Sequence, residues 1–144
     1  MNVADVMNSC DDKAQRLGMN SLTEIERAIV LVNRANFEIE CGSLTAFYYN
    51  SAGDHAVETV AALKRIGASE VANHLNLANT LFPKATPSKD RSDRFDQLEK
   101  VRTLDGDPLD RITTAIYACE PGMWPQLSRF IESNVDELLE HTKS

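Results

Sequence analysis

Three groups of residues in this chain carry atoms that could do chemistry. Asp54-His55 sets a carboxylate beside an imidazole, Cys41 and Ser51 offer nucleophilic atoms, and Glu132, Asp136, Glu137 and Glu140 concentrate carboxylates near the C-terminal end. Adjacent residues at a helix start project about 100° apart, so Asp54 and His55 do not form an acid–base dyad with each other. The plainer reading is an N-cap aspartate followed by a first-turn histidine. His74 has no HxxxH or HxxE partner of its own, so a metal site from His55, Glu58 and His74 has no spacing that brings all three together. Cys41 precedes Gly42 at a helix C-terminus, where the partial negative charge opposes a thiolate. Ser51 lies in Asn-Ser-Ala-Gly, which lacks the leading glycine of a nucleophile elbow. No glycine-rich phosphate loop is present. The sequence therefore reads as a non-enzyme with no cofactor and no metal.

The residues suited to binding are different ones. Phe47, Tyr48 and Tyr49 are consecutive aromatics, and no helix buries three neighbours on one face. They either plug the core around a short helix or turn a ring outward, which makes Tyr48, Tyr49 and Asn50 candidate partner contacts. Glu132, Asp136 and Glu140 recur every four residues with Glu137 beside them, which on one helix gives an acidic stripe. A solvated face is the ordinary explanation of such a stripe, and a partner-binding face is the functional one. Asp90, Asp93, Asp96 and Glu99 add carboxylates further back, where Arg91, Arg94 and Lys100 interleave and partly cancel them. The net charge of −7 argues against direct nucleic-acid binding and leaves room for a basic protein partner.

The chain has 144 residues, 42% of them hydrophobic and 26% charged, which suits one globular domain with a real core. Three cysteines without a CxxC pair fit a reducing compartment. No stretch approaches the roughly 20 apolar residues of a membrane helix, and no basic segment followed by an apolar run opens the chain. The expected location is cytoplasmic.

Helical periodicity dominates. Val3, Val6, Met7, Cys10, Ala14 and Leu17 stripe a first helix ended by Gly18. Ser21-Leu22-Thr23-Glu24 reads as a capping box for a long helix carrying Ile25, Ala28, Ile29, Val32 and Ile39, with Val30, Leu31 and Phe37 widening the stripe. Gly42 is expected in the left-handed position that ends it. Ser43 caps a short helix, Asn50 to Gly53 turn, and Asp54 caps a helix with Ala56, Val57, Val60 and Ala61 inward. After Gly67, Val71, Ala72, Leu75 and Ala78 pattern a helix antiparallel to it. Residues 83 to 90 are a polar surface loop with two prolines and the expected site of mobility. Phe95, Leu98, Val101 and Leu104 then make one thin stripe. Asp107-Pro108 starts a helix through Cys119, and Trp124 to His141 pattern a last one. The expectation is a single compact all-α domain over 1–144 of about seven or eight helices, with its nucleus at 24–83 and C-terminal helices over 91–141.

The run Phe47-Tyr48-Tyr49-Asn50-Ser51-Ala52-Gly53-Asp54, followed by Glu58-Thr59, Ala62-Leu63, Ile66-Gly67-Ala68 and Leu81-Phe82-Pro83, resembles the bacterial family named after a DNA-mimic protein. Cys41-Gly42-Ser43-Leu44 replaces that family's Gly-Gly-Phe step. The resemblance implies an all-helical fold, dimers and, as in the family's named member, acidic surfaces that occupy a transcription factor's DNA site. Two other functions stay open at the level of residues. One is a small-ligand protein or enzyme with a pocket where Tyr48, Asn50, Asp54 and His55 converge. The other is an immunity-type protein that binds a toxin.

Overall fold

The computed structural model describes residues 2–142, with side chains through residue 138. The regular structure of the described residues is helical, with no strand among them. Nine α-helices follow in order: α1 (Val3–Leu17), α2 (Glu24–Glu40), α3 (Leu44–Tyr49), α4 (Ala56–Arg65), α5 (Ser69–Asn79), α6 (Arg91–Arg102), α7 (Pro108–Tyr117), α8 (Met123–Ser133) and α9 (Val135–Thr142). Single 3₁₀ turns at Met19–Ser21, Ser51–His55 and Pro83–Ala85 join some of them.

Helix α2 is the centre. Ala28 to Val32 are buried without interruption, because α1, α4 and α8 cover it from different sides. An apolar run wider than one stripe is what such a position requires. Phe37 departs from that pattern and lies 63% exposed, one turn before the helix leaves the core. Helices α4 and α5 form the antiparallel pair expected from their short link. The buried face of α4 is Ala56, Thr59, Val60, Ala62 and Leu63, which turns Val57 and Ala61 outward rather than inward.

Three local expectations are corrected. The capping box of α2 is Thr23–Glu26: the Thr23 hydroxyl accepts from the Glu26 N–H, and the Glu26 carboxylate accepts from the Thr23 N–H. Ser21 is committed to the preceding 3₁₀ turn, where its hydroxyl donates to the Gly18 carbonyl. Gly42 is not left-handed. Its need for glycine is spatial, since a Cβ there would lie 2.9 Å from the Glu38 carbonyl oxygen and 3.0 Å from the Ala46 Cβ. The last expected helix is two helices, because Asn134 interrupts it. Its side-chain amide donates to the Phe130 carbonyl at 2.7 Å, and its backbone N–H turns tightly onto Ile131. A side chain that competes for backbone carbonyls in this way breaks the helical ladder.

The loop over 83–90 is tied to the fold at Pro87 and Ser88. Pro87 is buried, the Ser88 N–H donates to the Gln97 side chain, and the Ser88 carbonyl accepts from Arg94.

Candidate functional site

The aromatic run and the turn after it are organised by a residue that pattern reading assigns to the surface. Arg94 of α6 is completely buried. Its Nε donates to the Tyr48 carbonyl at 2.7 Å, Nη1 to the Ser88 carbonyl at 2.7 Å, and Nη2 to the Asn50 carbonyl at 3.0 Å and the Asp54 carboxylate at 2.8 Å. A short helix leaves its last carbonyls without intrahelical partners. Here a guanidinium takes the end of α3, and Asp54 balances the charge. A buried arginine survives in a core only when paired and hydrogen-bonded in this way. Gly53 fits the same assembly: a Cβ would meet the Phe47 carbonyl oxygen at 2.8 Å and Arg94 Nε at 2.9 Å.

These contacts reassign several candidate residues. Asp54 does not cap α4. That helix begins at Ala56 with His55 at the cap position and no side-chain cap bond. Tyr48 is buried, stacks near Phe82 and donates its hydroxyl to Asn79 at 2.6 Å, while the Asn79 amide donates to the Ala56 carbonyl. Tyr48 is therefore a core residue and not a partner contact. Asn50 is exposed, and its amide donates to Glu38, away from Asp54. The pocket imagined from Tyr48, Asn50, Asp54 and His55 does not assemble. Asp54 and His55 alone line a cleft of about 410 Å³ together with Glu58, Thr86, Pro87 and Lys89.

Around that cleft the electrostatics are specific. Glu58 takes both Arg27 Nε and Arg27 Nη2, the latter at 2.7 Å, and this pairing holds the Glu58 carboxyl below its usual range. His55 Nδ1 lies 3.6 Å from Glu58. Burial nevertheless lowers the His55 pKa, and Arg27 reinforces that against the pull of Glu58. Beyond Glu58, a second cleft of about 620 Å³ runs between α2 and α4 over Ala28, Leu31, Ala61 and Ala62. Of the remaining candidate nucleophiles, Ser51 lies exposed in the 3₁₀ turn and Cys41 exposed at the end of α2. Burial pushes the Cys10 thiol up to about 11. Among the described residues no group of histidine, cysteine and carboxylate side chains has metal-holding geometry.

Tyr49 is the member of the aromatic run that faces solvent. It is 57% exposed and meets the 44% exposed Phe95 of α6 edge to face, with ring centroids 5.7 Å apart. Phe95 was expected to bury. The face that does so is Arg94, Leu98 and Val101, one residue over. Spacing at i, i+4 and i+7 was the available signal, hidden because its first member is an arginine.

The carboxylates divide unevenly. In α1–α5 several are paired at close range, Glu26 with Lys13, Asp12 with Arg16, Asp11 with Arg34, Glu58 with Arg27 and Glu24 with Arg65, while Asp5, Glu38, Glu40 and Glu70 make no ion pair among the described residues. In α6–α9, Glu99 pairs with Arg102. Asp93, Asp96, Asp110, Glu132, Asp136 and Glu137 are exposed and make no ion pair among the described residues. Glu132 stands on α8 and Asp136 and Glu137 on α9, so the break at Asn134 divides the expected single-helix stripe. The Glu140 side chain lies outside the described residues.

A family model described as DMP19-like protein matches residues 20–134, from the turn before α2 to the break after α8. The Arg94 assembly, Tyr49, Phe95 and Glu132 fall inside that span, and α1 and α9, which pack on each other, lie mostly or wholly outside it. No curated protein and no solved structure matches the chain.

Proposed function

The chain belongs to the DMP19-like protein family, and from that premise we propose that it is a non-enzymatic acidic module that binds a basic protein, in the manner of a DNA mimic. The observation that carries this reading is the uneven pairing of carboxylates. Close-range ion pairs take Asp11, Asp12, Glu24, Glu26 and Glu58 of α1–α5, while among the described residues of α6–α9 Glu99 is so paired and Asp93, Asp96, Asp110, Glu132, Asp136 and Glu137 stand exposed without such partners. A surface that stands in for DNA needs uncancelled negative charge, and electrostatic complementarity then gives rapid, salt-sensitive association. Of the groups first singled out as chemical, Asp54 is taken up structurally by Arg94, and the partner-contact candidate Asn50 is hydrogen-bonded to Glu38. The resemblance suggests a transcription factor as the partner. A toxin bound by an immunity-type protein would use the same electrostatics.

The test is capture of partners from the native host's lysate by tagged full-length chain, washed at low and then high salt. A stoichiometric basic protein released by salt is the expected result. Reversal in two sets, Asp93→Lys with Asp96→Lys and Glu132→Lys with Asp136→Lys and Glu137→Lys, is expected to abolish capture in at least one set. Capture unchanged by both sets sinks the acidic-surface reading.

One observation favours a second reading. The 410 Å³ cleft beside His55 is within the size range of small-ligand sites, and burial lowers the pKa of the imidazole that lines it. Chemical-shift changes of the His55 ring on screening small metabolites would support that reading. An unmoved ring across a broad screen would remove it.

A further inference from the structure

The proposed acidic module leaves unexplained why two aromatic rings stand in solvent, one on its most charged helix and one beside it. Helix α6 carries arginine, aspartate, glutamate and lysine at most of its outward positions. Phe95 is an exposed ring among them, and Tyr49, at the end of α3, leans against it edge to face. Neither ring is needed to complete the core, which Phe47, Tyr48, Leu98 and Val101 fill at the same junction. Exposed aromatics are costly to keep in water and are enriched where a partner is recognised.

The position is also fixed. The Arg94 guanidinium holds the carbonyls on either side of Tyr49, those of Tyr48 and Asn50, so the two rings are presented on a pre-set backbone. Carboxylates stand near both rings. Glu99, one turn on from Phe95, shares its helical face and also pairs with Arg102, and Glu38 sits against Asn50, next to Tyr49. Arg91, one turn back from Phe95 on α6, leans towards Asp54 at 4.0 Å.

Aromatic faces bordered by carboxylates suit a planar cation. We propose that the Tyr49–Phe95 pair is an anchor for an arginine side chain of the partner, selecting arginine over lysine within a basic segment. Guanidinium stacks on a ring face while its edge donates to carboxylates, and a lysine ammonium offers neither the plane nor the fork. Charge on α6–α9 then supplies attraction, and the rings supply residue choice. This inference rests on the acidic-module reading above.

The test uses the full chain and two flexible Gly/Ser-spaced peptides, one with six arginines and one with six lysines, titrated at low salt. The expected result is that the arginine peptide binds about threefold to tenfold more tightly, with the Tyr49 and Phe95 ring resonances shifting. In a Tyr49→Ser, Phe95→Ser double variant the preference is expected to vanish while salt-sensitive binding of both peptides persists. Equal affinities for the two peptides overturn the anchor and leave the acidic module standing. A preference for arginine that survives in the double variant also overturns it, because carboxylates alone then account for the choice. If neither peptide binds at low salt, the acidic-module reading itself fails, and the anchor with it.

Discussion

Arg94 is the residue on which the turn around Asn50 depends. Four hydrogen bonds run from its one planar group to α3, the 3₁₀ turn and the loop before α6. Replacing it with methionine keeps the bulk and strands three carbonyls and Asp54. Loss of one partner from a buried charged network costs about 3–5 kcal/mol, a large share of a stability of about 5–15 kcal/mol. Arg94→Met should lower the urea midpoint sharply, and Arg94→Lys should rescue little, because an ammonium cannot reach in three directions. Asp54→Asn keeps an acceptor at a partly exposed position and should cost about 1 kcal/mol. Equal effects from Arg94→Lys and wild type would dismiss the network as incidental. Nothing in the residue type announced this role. An arginine among aspartates reads as a solvated charge, and only the buried helical face it shares with Leu98 and Val101 says otherwise. Gly53 was legible only as part of a turn, and what requires glycine there is close approach of the backbone and Arg94.

His55 gives a second test at the same scale. Burial lowers its folded pKa, so the unfolded chain holds the proton more tightly. The sign follows from linkage. The His55 contribution is complete above the unfolded value of about 6.5 and declines as pH falls from there towards the folded value, below which the loss is constant. Denaturation midpoints of wild type and His55→Asn, measured between pH 7.5 and 5, should therefore converge as the pH falls. Parallel curves would show that the imidazole titrates alike in both states.

At the scale of elements, periodicity was a good guide and end signals were less reliable. The stripes of α1, α2 and α5 are where spacing places them except at Leu17 and Phe37, which are exposed near the ends of α1 and α2, because 3.6-residue periodicity records burial directly. Caps record only one hydrogen bond, and neighbouring Ser and Thr residues compete for it. Ser21 and Thr23 are such a pair, and the fold resolves them through Glu26, which is fully buried and held by Lys13 at 3.1 Å. Thr23→Ala should therefore cost about 1 kcal/mol and Ser21→Ala much less. Thermal melts of the two variants check the ranking, and the reverse order would restore the box at Ser21. The break between α8 and α9 was hidden for a similar reason. Apolar spacing continues across it, through Ile131, Val135 and Leu138, and the interruption comes from one asparagine amide. That break matters to function, since it places Glu132 and Asp136 on separate helices.

For the whole molecule, the polar stretch over 83–90 invites division into a front nucleus and a rear cover, and packing argues against it. Helix α9 lies on α1, α8 on α2, α7 on α5 and α3, and α6 on α3. Every rear helix thus closes an apolar face of the front, and Arg94 crosses the same boundary to fill its centre. Leu44 and Phe47, both fully buried in the intact chain, would face water without α6 and α7. The two halves should accordingly unfold as one cooperative unit. The chain supplies a convenient reporter, because its single tryptophan, Trp124, sits in α8 and senses the rear, while far-ultraviolet circular dichroism averages over every helix. Urea curves from the two signals should superimpose, as two-state behaviour requires, and a fragment of residues 1–86 should lack cooperative unfolding. A tryptophan transition at lower urea than the helical one would instead mark α6–α9 as a separable layer. The exposed carboxylates of α6–α9 would then belong to an element able to detach, and binding of a basic partner would have to be coupled to its docking.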